Sequence, residues 1–428
     1  MNILFNIAFA LFVFFYMPLF IFKKRRRKGI CIRLGIYSKN LVSRLSSRKN
    51  IWIHAVSVGE VIAVAPLVEN IRQRYPEYRI VLSTVTETGN SAARKILLKD
   101  DIDLYLPFDL SFITRKVMDY IKPAFLVLAE TELWPNLILT AHEMNVKVVL
   151  VNGRISDSSF KRYKSVRPFL VSALRNIDLL CMQTQEYGQR MVLLGARRTK
   201  VVMSGNMKFD SAFLDDVSDQ HREILRQTLC LHLGEQLIVA GSTHPGEEDI
   251  ILSAYNKLQI QFPELRLIIA PRHIERAHDI MNAVQRLHPD AVFFSNLPKE
   301  SRMVSAHVVI IDVIGRLKDI YSIADIVFVG GSLVRKGGQN MIEPAAFAKP
   351  IILGPYTHNF RDIVDMFLEK QAVMIAESEG PLVGVIEGLL KDKDSAKRLG
   401  QKARSVVDSN RGAAERTLRV IEDEGVFL

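Results

Sequence analysis

The sequence FLVLAETE at residues 125–132 places two acidic residues directly after an unbroken apolar run. A run that is apolar at every position is typical of a β-strand buried on both faces, as in a parallel sheet. Ligands of α/β proteins bind beyond the carboxyl ends of such strands, so Glu130 is a candidate functional residue. Glu132 is interpreted as a glutamate in the first turn of the next helix.

Similar short runs, rich in β-branched residues, recur along the chain and alternate with amphipathic stretches. This alternation predicts parallel sheets covered by helices on both faces. The predicted strands form two series, 51–56, 79–85, 103–108, 125–130, 147–152, 179–183 and 201–204, then 237–241, 266–270, 291–295, 308–312, 326–330, 350–353 and 373–376.

A polar stretch, residues 210–236, separates the two series and is predicted to be a hinge. The predicted fold class is therefore α/β, with two Rossmann-like domains that face a central cleft. The predicted segments are a membrane anchor with a basic cluster (1–28), an N-terminal domain (29–209), the hinge (210–236), a C-terminal domain (237–393) and a helical segment (394–428).

Basic residues are concentrated near the N-terminus. Eleven of the 57 Lys and Arg residues precede the first acidic residue, Glu60, and the other 46 equal the Asp and Glu residues in number. A nucleic-acid-binding protein would spread its basic surface over a folded domain, so no nucleic-acid partner is expected.

Residues 3–22 form an uncharged, mostly apolar stretch that is long enough to cross a bilayer as a helix. A run of basic residues follows at 23–28, and such a cluster stays cytoplasmic and binds anionic headgroups. A cleaved signal peptide carries its charges before the apolar run, so an uncleaved signal-anchor is expected. It would either cross the membrane as a transmembrane helix or lie in the interface.

The three cysteines, Cys31, Cys181 and Cys230, lie far apart in the sequence. Their spacing argues against a zinc site, a redox motif or a disulfide scaffold, and it suggests a reducing compartment.

The motif HAVSVGE (54–60) ends a predicted strand and begins a predicted helix. Ser57 and Glu60 have the spacing of a capping box, in which Ser57 caps the helix and Glu60 bonds back to the preceding backbone. The functional alternative is that Glu60 lies at the cleft, where the helix N-terminus keeps it ionised and able to accept a proton. His54 is interpreted as a buried, hydrogen-bonded core histidine.

Two further polar loops follow predicted strands. The loop NGRIS (152–156) suits the binding of an anion or a sugar as well as it suits an ordinary loop. The loop GNMKFD (205–210) places Lys208 just before the hinge, where it could contact a phosphate or a carboxylate. Composition alone leaves the role of Lys208 undecided.

In the second domain, AGSTHPGEE (240–248) and APRHIER (270–276) end predicted strands. Arg272 suits a phosphate better than a position in a core. The glycine pairs in GGS (330–332) and GGQNMIEPAAF (337–347) allow close approach of a ligand to the backbone, and a helix N-terminus after them favours a phosphate.

Asn340 and Glu343 also have cap-like spacing, although Glu343 could instead hold the ribose hydroxyls of a nucleotide. Neither glycine pattern is GxGxxG followed by an acid, and neither is GxxxxGK[ST]. A nicotinamide-dependent dehydrogenase and a P-loop NTPase are therefore disfavoured.

These motifs, with TETG (86–89), AETELWPN (129–136) and SFKRY (159–163), resemble the Kdo (3-deoxy-D-manno-octulosonic acid) transferase family of lipopolysaccharide biosynthesis. The family consists of glycosyltransferases of the GT-B type, which have two Rossmann-like domains. The resemblance runs from the N-terminal anchor to about Asp365 and rests on the order and spacing of nine motifs.

The resemblance implies an inverting glycosyltransferase that moves Kdo from CMP-Kdo to a lipid A precursor, lipid IVA. It implies a protein of the inner membrane with its catalytic domains on the cytoplasmic face. No cofactor is expected. No metal is expected either, because CMP carries a single phosphate and the chain has no DxD triplet between the domains.

By the same resemblance, Glu60 is the general base, and Glu130 with Lys208 stabilises the transition state. The N-terminal domain would take the acceptor and the C-terminal domain the CMP-sugar, with Glu343 on the ribose. The expected CMP-binding residues are Pro271, Arg272, Ile314, Gly315, Arg316, Asn340, Met341, Ile342 and Glu343. Members of the family often have an acid where this chain has Arg316, so the donor contacts of that turn depend on whether the backbone or the side chain makes them.

Two alternatives stay open. The chain could be a GT-B transferase that uses another nucleotide sugar, or a membrane-tethered nucleotide-binding module without catalytic activity. A serine hydrolase is disfavoured, because the sequence has no GxSxG motif.

Overall fold

The computed structural model of the protein describes residues 29–212, 217–232, 234–297 and 306–426. The predicted membrane anchor and basic cluster, residues 1–28, lie outside these described residues. Within them, no helix has both the length and the apolar character that a bilayer span requires.

The chain divides into two compact units, the first Met1–Leu214 with Asn410–Leu428 and the second Asp215–Ser409. Each unit contains a seven-stranded sheet in which all neighbouring strands are parallel. The prediction of two parallel α/β domains is confirmed, while the cleft stays a prediction. The strands are β1 (Asn50–His54), β2 (Arg79–Thr84), β3 (Ile102–Tyr105), β4 (Pro123–Ala129), β5 (Lys147–Gly153), β6 (Leu179–Met182), β7 (Val201–Met203), β8 (Gln236–Thr243), β9 (Leu265–Pro271), β10 (Val292–Phe293), β11 (Val308–Ile310), β12 (Ile326–Val329), β13 (Ile351–Leu353) and β14 (Met374–Ile375).

Helices follow most strands, as crossover connections between parallel strands require. The α-helices are α1 (Ile30–Arg33), α2 (Lys39–Ser46), α3 (Val58–Arg74), α4 (Glu87–Ile96), α5 (Ser111–Ile121), α6 (Pro135–Glu143), α7 (Asp157–Ser165), α8 (Arg167–Arg175), α9 (Gln185–Leu194), α10 (Lys208–Ser211), α11 (Asp219–Thr228), α12 (Glu247–Gln259), α13 (Ala277–Val284), α14 (Leu317–Ile323), α15 (Ile342–Ala346), α16 (Arg361–Glu369), α17 (Glu379–Lys391), α18 (Lys393–Asn410) and α19 (Ala413–Asp423). Short 3-10 turns occupy Arg198–Lys200, Ile274–Arg276 and Phe294–Asn296.

The first sheet has the strand order β3-β2-β1-β4-β5-β6-β7. The chain therefore moves outward in one direction from β1 and in the other direction from β4. The boundary between β1 and β4 is the topological switch point, where loops on opposite sides of the sheet leave a crevice. The turn that leads to Glu60 follows β1 and Glu130 follows β4, so both candidates come from this boundary.

The second sheet has the order β10-β11-β9-β8-β12-β13-β14, with its switch point between β8 and β12. The motif AGSTHPGEE spans the end of β8, and the first glycine pair, Gly330 and Gly331, follows β12. A Cβ atom at Gly330 would lie 2.5 Å from the carbonyl oxygen of Ser242, so only glycine allows the two loops to approach this closely.

Strand β4 shows why its run is apolar at every position. Leu126 and Leu128 belong to a core cluster on one face of the sheet, and Phe125 and Val127 belong to a second cluster on the other face. Their side chains are fully buried. Successive strand residues point to opposite faces, so a sheet covered on both sides needs apolar residues throughout.

The stretch 210–236, predicted to be a hinge, and the C-terminal segment 394–428 both contain α-helices. The stretch 210–236 contains α11, whose N-terminus is capped by Ser218 through a hydrogen bond from the His221 amide of 3.2 Å. The C-terminal segment is divided, because α18 falls in the second unit up to Ser409 and α19 belongs to the first. Within the first unit, Asp210 accepts hydrogen bonds from the amides of Gly412 (2.6 Å) and Ala414 (2.7 Å) and so holds the start of α19.

Candidate active site and nucleotide-binding loops

The carboxylate of Glu60 folds back toward the turn that precedes its own helix. Its Oε2 accepts a hydrogen bond from the Val56 amide at 2.7 Å, and its Oε1 accepts one from the Ser57 hydroxyl at 3.1 Å. Ser57 makes no side-chain cap to the helix. The capping-box prediction is therefore right about Glu60 reaching back and wrong about Ser57, whose hydroxyl supports the glutamate instead.

The TETG motif packs against the turn at Val56 and Ser57 that precedes α3. Thr86 caps α4 by accepting a hydrogen bond from the Gly89 amide at 2.9 Å. A Cβ atom at Gly89 would lie 2.9 Å from the Val56 carbonyl oxygen, so the glycine lets α4 pack directly on the backbone that holds Glu60. The motif thus has a structural role in positioning the candidate base.

Burial decides the charge of Glu60. It raises the pKa of Glu60 to about 7, and the charge of Glu130 adds to the effect. The hydrogen bonds from Val56 and Ser57 and the charge of Lys208 lower the pKa, but by less than burial raises it. The helix N-terminus was expected to keep this group ionised, and burial works against that expectation. A carboxyl group that titrates near neutral pH is well suited to accept and release a proton.

Glu130 and Lys208 form a direct ion pair, with Nζ 2.8 Å from Oε1. Only 16% of the Glu130 side chain and 22% of the Lys208 side chain are exposed, so water screens the pair weakly. Glu130 has a φ of 50°, a left-handed conformation that is unfavourable for a residue with a side chain and is frequent at functional sites. The structure thus brings together two candidates that lie 78 positions apart in the sequence.

Asn152 holds the loop that carries Lys208. This fully buried residue also has a positive φ, of 53°, and its Oδ1 accepts a hydrogen bond from the Met207 amide at 3.0 Å. The Asn206 side chain then accepts from the Lys208 amide at 3.0 Å. The sequence left open whether the NGRIS loop binds an anion or a sugar or is an ordinary loop, and the structure gives its first residue a positioning role.

A third acid, Glu132, lies close enough to Glu60 and Glu130 for their charges to act on it. It precedes α6 and is not part of its first turn, so the interpretation of Glu132 as a helical glutamate is wrong. Its Oε2 accepts a hydrogen bond from Trp134 Nε1 at 2.9 Å and lies 3.9 Å from Nε2 of His54. Burial, together with the charge of Glu60, raises the pKa of Glu132 to about 8.

In the second unit, the side chain of Glu247 holds the loop that begins with Gly330 by accepting hydrogen bonds from its backbone. Its carboxylate is completely buried and accepts four backbone hydrogen bonds, from the amides of His244 (2.9 Å), Gly331 (2.6 Å), Ser332 (3.0 Å) and Leu333 (2.8 Å). The carboxylate therefore occupies the amides after the first glycine pair, where the sequence predicts that a ligand approaches the backbone.

The other predicted nucleotide-binding residues lie beyond the carboxyl ends of strands in the second sheet. Pro271 ends β9, and the amide of Arg272 donates to the Thr243 carbonyl oxygen at 2.9 Å while its side chain is exposed. The segment Ile314, Gly315 and Arg316 is an exposed turn before α14. The carboxyl ends of parallel strands share one edge, so this turn and Arg272 belong to the same edge of the sheet.

The side chain of Arg316 is engaged within its own unit. One guanidinium nitrogen lies 3.1 Å from Oδ2 of Asp319, three positions along the chain, and half of the side chain is exposed. Gly315 has a φ of 87°, which favours glycine at the centre of this turn.

Asn340 and Glu343 are joined by a hydrogen bond of 3.0 Å from Nδ2 to Oε1. Asn340 Oδ1 also accepts from the amide of Ile342 at 3.1 Å. The N-cap position of the helix is occupied by Met341, which is fully buried and makes no side-chain cap, so Glu343 reaches back to the Asn340 side chain without the cap that the spacing predicts. Burial raises the pKa of Glu343, and the charges of Lys318 and Arg272 oppose the rise. Glu343 lies in α15, which has only five residues, so the dipole of this helix is small.

A family model described as 3-deoxy-D-manno-octulosonic-acid transferase (kdotransferase) matches residues 28–211. The chain is 34% identical over 402 residues to the 3-deoxy-D-manno-octulosonic acid transferase of Haemophilus influenzae, an alignment that covers 93% of this chain and 92% of that protein. This chain belongs to the Kdo transferase family. It is thus a glycosyltransferase that transfers Kdo in lipopolysaccharide biosynthesis.

Two further comparisons concern a second relative in sequence and a neighbour in fold. The 3-deoxy-D-manno-octulosonic acid transferase of Chlamydia muridarum is 28% identical over 380 residues, which cover 87% of this chain and 86% of that protein. The structure of a UDP-GlcNAc 2-epimerase from Neisseria meningitidis, bound to UDP-GlcNAc, matches 87% of this chain and 100% of its own chain, with a TM-score of 0.63 and 12% identity. At that identity the likeness concerns the fold alone.

Glu247 and Asn152 are the positioning residues that sequence reasoning missed in this Kdo transferase. Each makes a contact with a residue distant in sequence that defines its role, Glu247 with Gly331 and Asn152 with Met207. The only sequence signal was an acid or an amide next to a strand end, and surface loops carry such residues often.

Replacing Arg272 with alanine is expected to weaken CMP binding about 10- to 100-fold, because a charge-assisted hydrogen bond to a phosphate contributes about 1.5–3 kcal/mol. Isothermal titration calorimetry with CMP measures the change. Arg286→Ala, which removes another exposed arginine of the second unit, serves as the control and should bind CMP as the wild type does. Equal affinities for CMP in wild type and Arg272→Ala would exclude Arg272 from the phosphate site.

Proposed function

We propose that this Kdo transferase takes Kdo from CMP-Kdo and attaches it, with inversion, to a hydroxyl group of a lipid A precursor such as lipid IVA. The observation that carries the proposal is the half-buried carboxylate of Glu60, whose pKa is near neutrality beside the Glu130–Lys208 ion pair. Membership of the family supplies the sugar. The candidate residues of each unit, taken separately, support the donor and the chemistry.

In the proposed reaction, Glu60 accepts the proton of the acceptor hydroxyl as that oxygen attacks the anomeric carbon of Kdo. The bond from that carbon to the phosphate oxygen breaks, and CMP leaves with the bonding electrons. A base on the face opposite the leaving group gives inversion. The Glu130–Lys208 pair is proposed to stabilise the positive character that develops on the sugar, because preorganised charges act strongly where water is excluded.

The negative charge on departing CMP is proposed to be taken up by Arg272 and by the backbone of the Ile314–Arg316 turn, with Glu343 on the ribose. These roles need no divalent ion, so the proposed reaction is independent of metal. We further propose that the enzyme works at the cytoplasmic face of the inner membrane, held by the apolar stretch 3–22 and by contacts of the basic cluster 23–28 with anionic headgroups.

The direct test incubates the full-length enzyme with CMP-Kdo and a tetraacylated lipid A precursor, followed by mass spectrometry of the lipid. The lipid should gain the mass of Kdo, and CMP should be released in equal amount. Parallel incubations with UDP-sugars test the alternative of another nucleotide-sugar donor. An unchanged lipid mass with folded enzyme, or transfer from a UDP-sugar instead, would exclude the proposed donor and acceptor.

The pH dependence of transfer is expected to follow Glu60. Its raised pKa of about 7 means that the carboxyl group is protonated below neutral pH and cannot accept the hydroxyl proton. We expect kcat/KM to fall about tenfold for each pH unit below about pH 6.5, as for a single essential base. Initial rates in buffers of constant ionic strength test this, and a rate that stays constant down to the ordinary pKa of glutamate would contradict the assignment.

A further inference from the structure

His54 presents an unprotonated nitrogen toward Glu132. Its Nδ1 lies 3.0 Å from the carbonyl oxygen of Ser83, and a carbonyl oxygen can only accept, so Nδ1 carries the hydrogen. The Ser83 hydroxyl next to it already accepts from Trp52 Nε1 at 2.8 Å. Burial lowers the pKa of His54 to about 3, which keeps the ring neutral. Nε2 therefore offers a lone pair.

That Nε2 atom is fully buried and has no hydrogen-bond partner among the described residues. The Oε2 atom of Glu132 lies 3.9 Å away, slightly beyond hydrogen-bond distance. An ionised carboxylate would set a second acceptor against the lone pair, which is unfavourable in a buried place. A protonated carboxyl group would instead donate its O–H to Nε2, so the contact favours the neutral form of Glu132.

The two acids that face Glu132 act in the same direction as the His54 lone pair, and Trp134 acts against it. Glu60 at the start of α3 and Glu130 after β4 both raise its pKa when they are ionised, as burial does. Trp134 Nε1 donates to Glu132 and opposes the rise. Tyr163 of α7, whose own pKa is raised by burial and by the charge of Glu132, cannot supply a positive charge. Lys208 is paired with Glu130.

We propose that Glu132 is a positioning residue of the transfer reaction that keeps its proton, directed at Nε2 of His54, and thereby leaves Glu60 as the carboxylate that ionises first. This inference rests on the proposed role of Glu60 as the base. Its physical reason is the cost of placing negative charges on neighbouring, poorly hydrated carboxylates, which forces one of them to stay neutral. The hydrogen bonds decide which one, because Glu60 accepts two and Glu132 faces a lone pair.

Deprotonation of Glu132 at alkaline pH is expected to weaken donor binding. As the pH rises through about 8, Glu132 loses its proton and adds a negative charge beside the base. An anionic donor would then bind less well, so KM should rise before kcat changes. Glu132→Gln imitates the neutral carboxyl group at every pH and should not show this rise.

The first experiment measures the proton directly by infrared spectroscopy of the full-length wild type and of Glu132→Gln. The difference spectrum at neutral pH should contain the carbonyl band of a protonated carboxyl group, and the band should disappear as the pH rises through about 8. Its absence at neutral pH would overturn the proposal. Trp134→Phe, which removes the opposing donor, should shift the disappearance of the band to higher pH, and an unchanged or lower midpoint would also count against it.

The second experiment compares kinetics. At neutral pH, Glu132→Gln should keep kcat within about 3-fold of the wild type, whereas Glu132→Ala should lose about 10-fold or more because the Trp134 N–H and the His54 lone pair lose their partner. Above about pH 8, the KM of the wild type for the donor should rise at least about 3-fold relative to that of Glu132→Gln.

Two kinetic results would overturn the proposal. One is a loss in Glu132→Gln as large as that in Glu132→Ala, and the other is pH profiles of KM that superimpose. The infrared result does not depend on substrate, so it separates a failure of this inference from a failure of the proposed function. An ionised Glu132 in an enzyme that transfers Kdo rejects only the inference.

Discussion

Replacing Glu60 with glutamine lowers kcat about 100- to 10,000-fold, the contribution expected of a general base. The amide oxygen of glutamine can still accept the hydrogen bond that Val56 donates to Glu60, so the turn should keep its conformation. Affinity for CMP should be unchanged, because the proposed nucleotide-binding residues belong to the other unit. Kinetics with CMP-Kdo and calorimetry with CMP separate the two effects.

The matched control for this prediction is Glu69→Gln, which changes a partly exposed glutamate of the same helix, α3. It should keep the wild-type kcat and CMP affinity. Wild-type turnover in Glu60→Gln would exclude Glu60 as the general base. A loss of CMP affinity equal to the loss of kcat would show that the substitution disturbs the fold rather than the chemistry.

Replacing Glu247 with alanine lowers the free energy of unfolding of the second unit by about 3–5 kcal/mol, since four buried backbone amides lose a charged acceptor at once. Hydrogen exchange of the amides of Gly331, Ser332 and Leu333 should accelerate first, because these donate to the missing carboxylate. Urea denaturation followed by circular dichroism measures the loss of stability.

The two tryptophans of the chain, Trp52 and Trp134, both lie in the first unit, so tryptophan fluorescence reports the unfolding of that unit. A loss of stability seen by circular dichroism but not by tryptophan fluorescence therefore belongs to the second unit. Asp249→Ala, an exposed acid on the first turn of the same helix, is the control and should change the stability by less than about 0.5 kcal/mol. Unchanged exchange at Gly331 to Leu333 in Glu247→Ala would show that the loop does not depend on the carboxylate.

Much of the fold can be predicted from the sequence because its signals are local. A strand covered on both faces must be apolar at each position, so β4 and the other strands are recognisable from short runs such as Phe125 to Ala129. The candidate acids could be found for a similar reason, since Glu130 directly follows a recognisable strand end and Glu60 lies in the first turn of the helix after another. The capping spacing of Glu60 is local as well, and half of it is confirmed.

The rest of the candidate site could not be predicted, because it depends on which strands become neighbours. The pairing of Glu130 with Lys208 requires the strand order of the first sheet, and no local pattern specifies that order. The same holds for the contact of His54 with Glu132 across neighbouring strands β1 and β4.

The sequence by itself determined the class of fold, the family and the identity of the candidate residues. The tertiary structure decided their state. It set the pKa of Glu60 near 7 where the helix N-terminus alone implied full ionisation, and it committed Glu247 to the backbone of a glycine loop. The physical reason is that motifs are read from neighbours along the chain, whereas desolvation and charge coupling depend on neighbours in space.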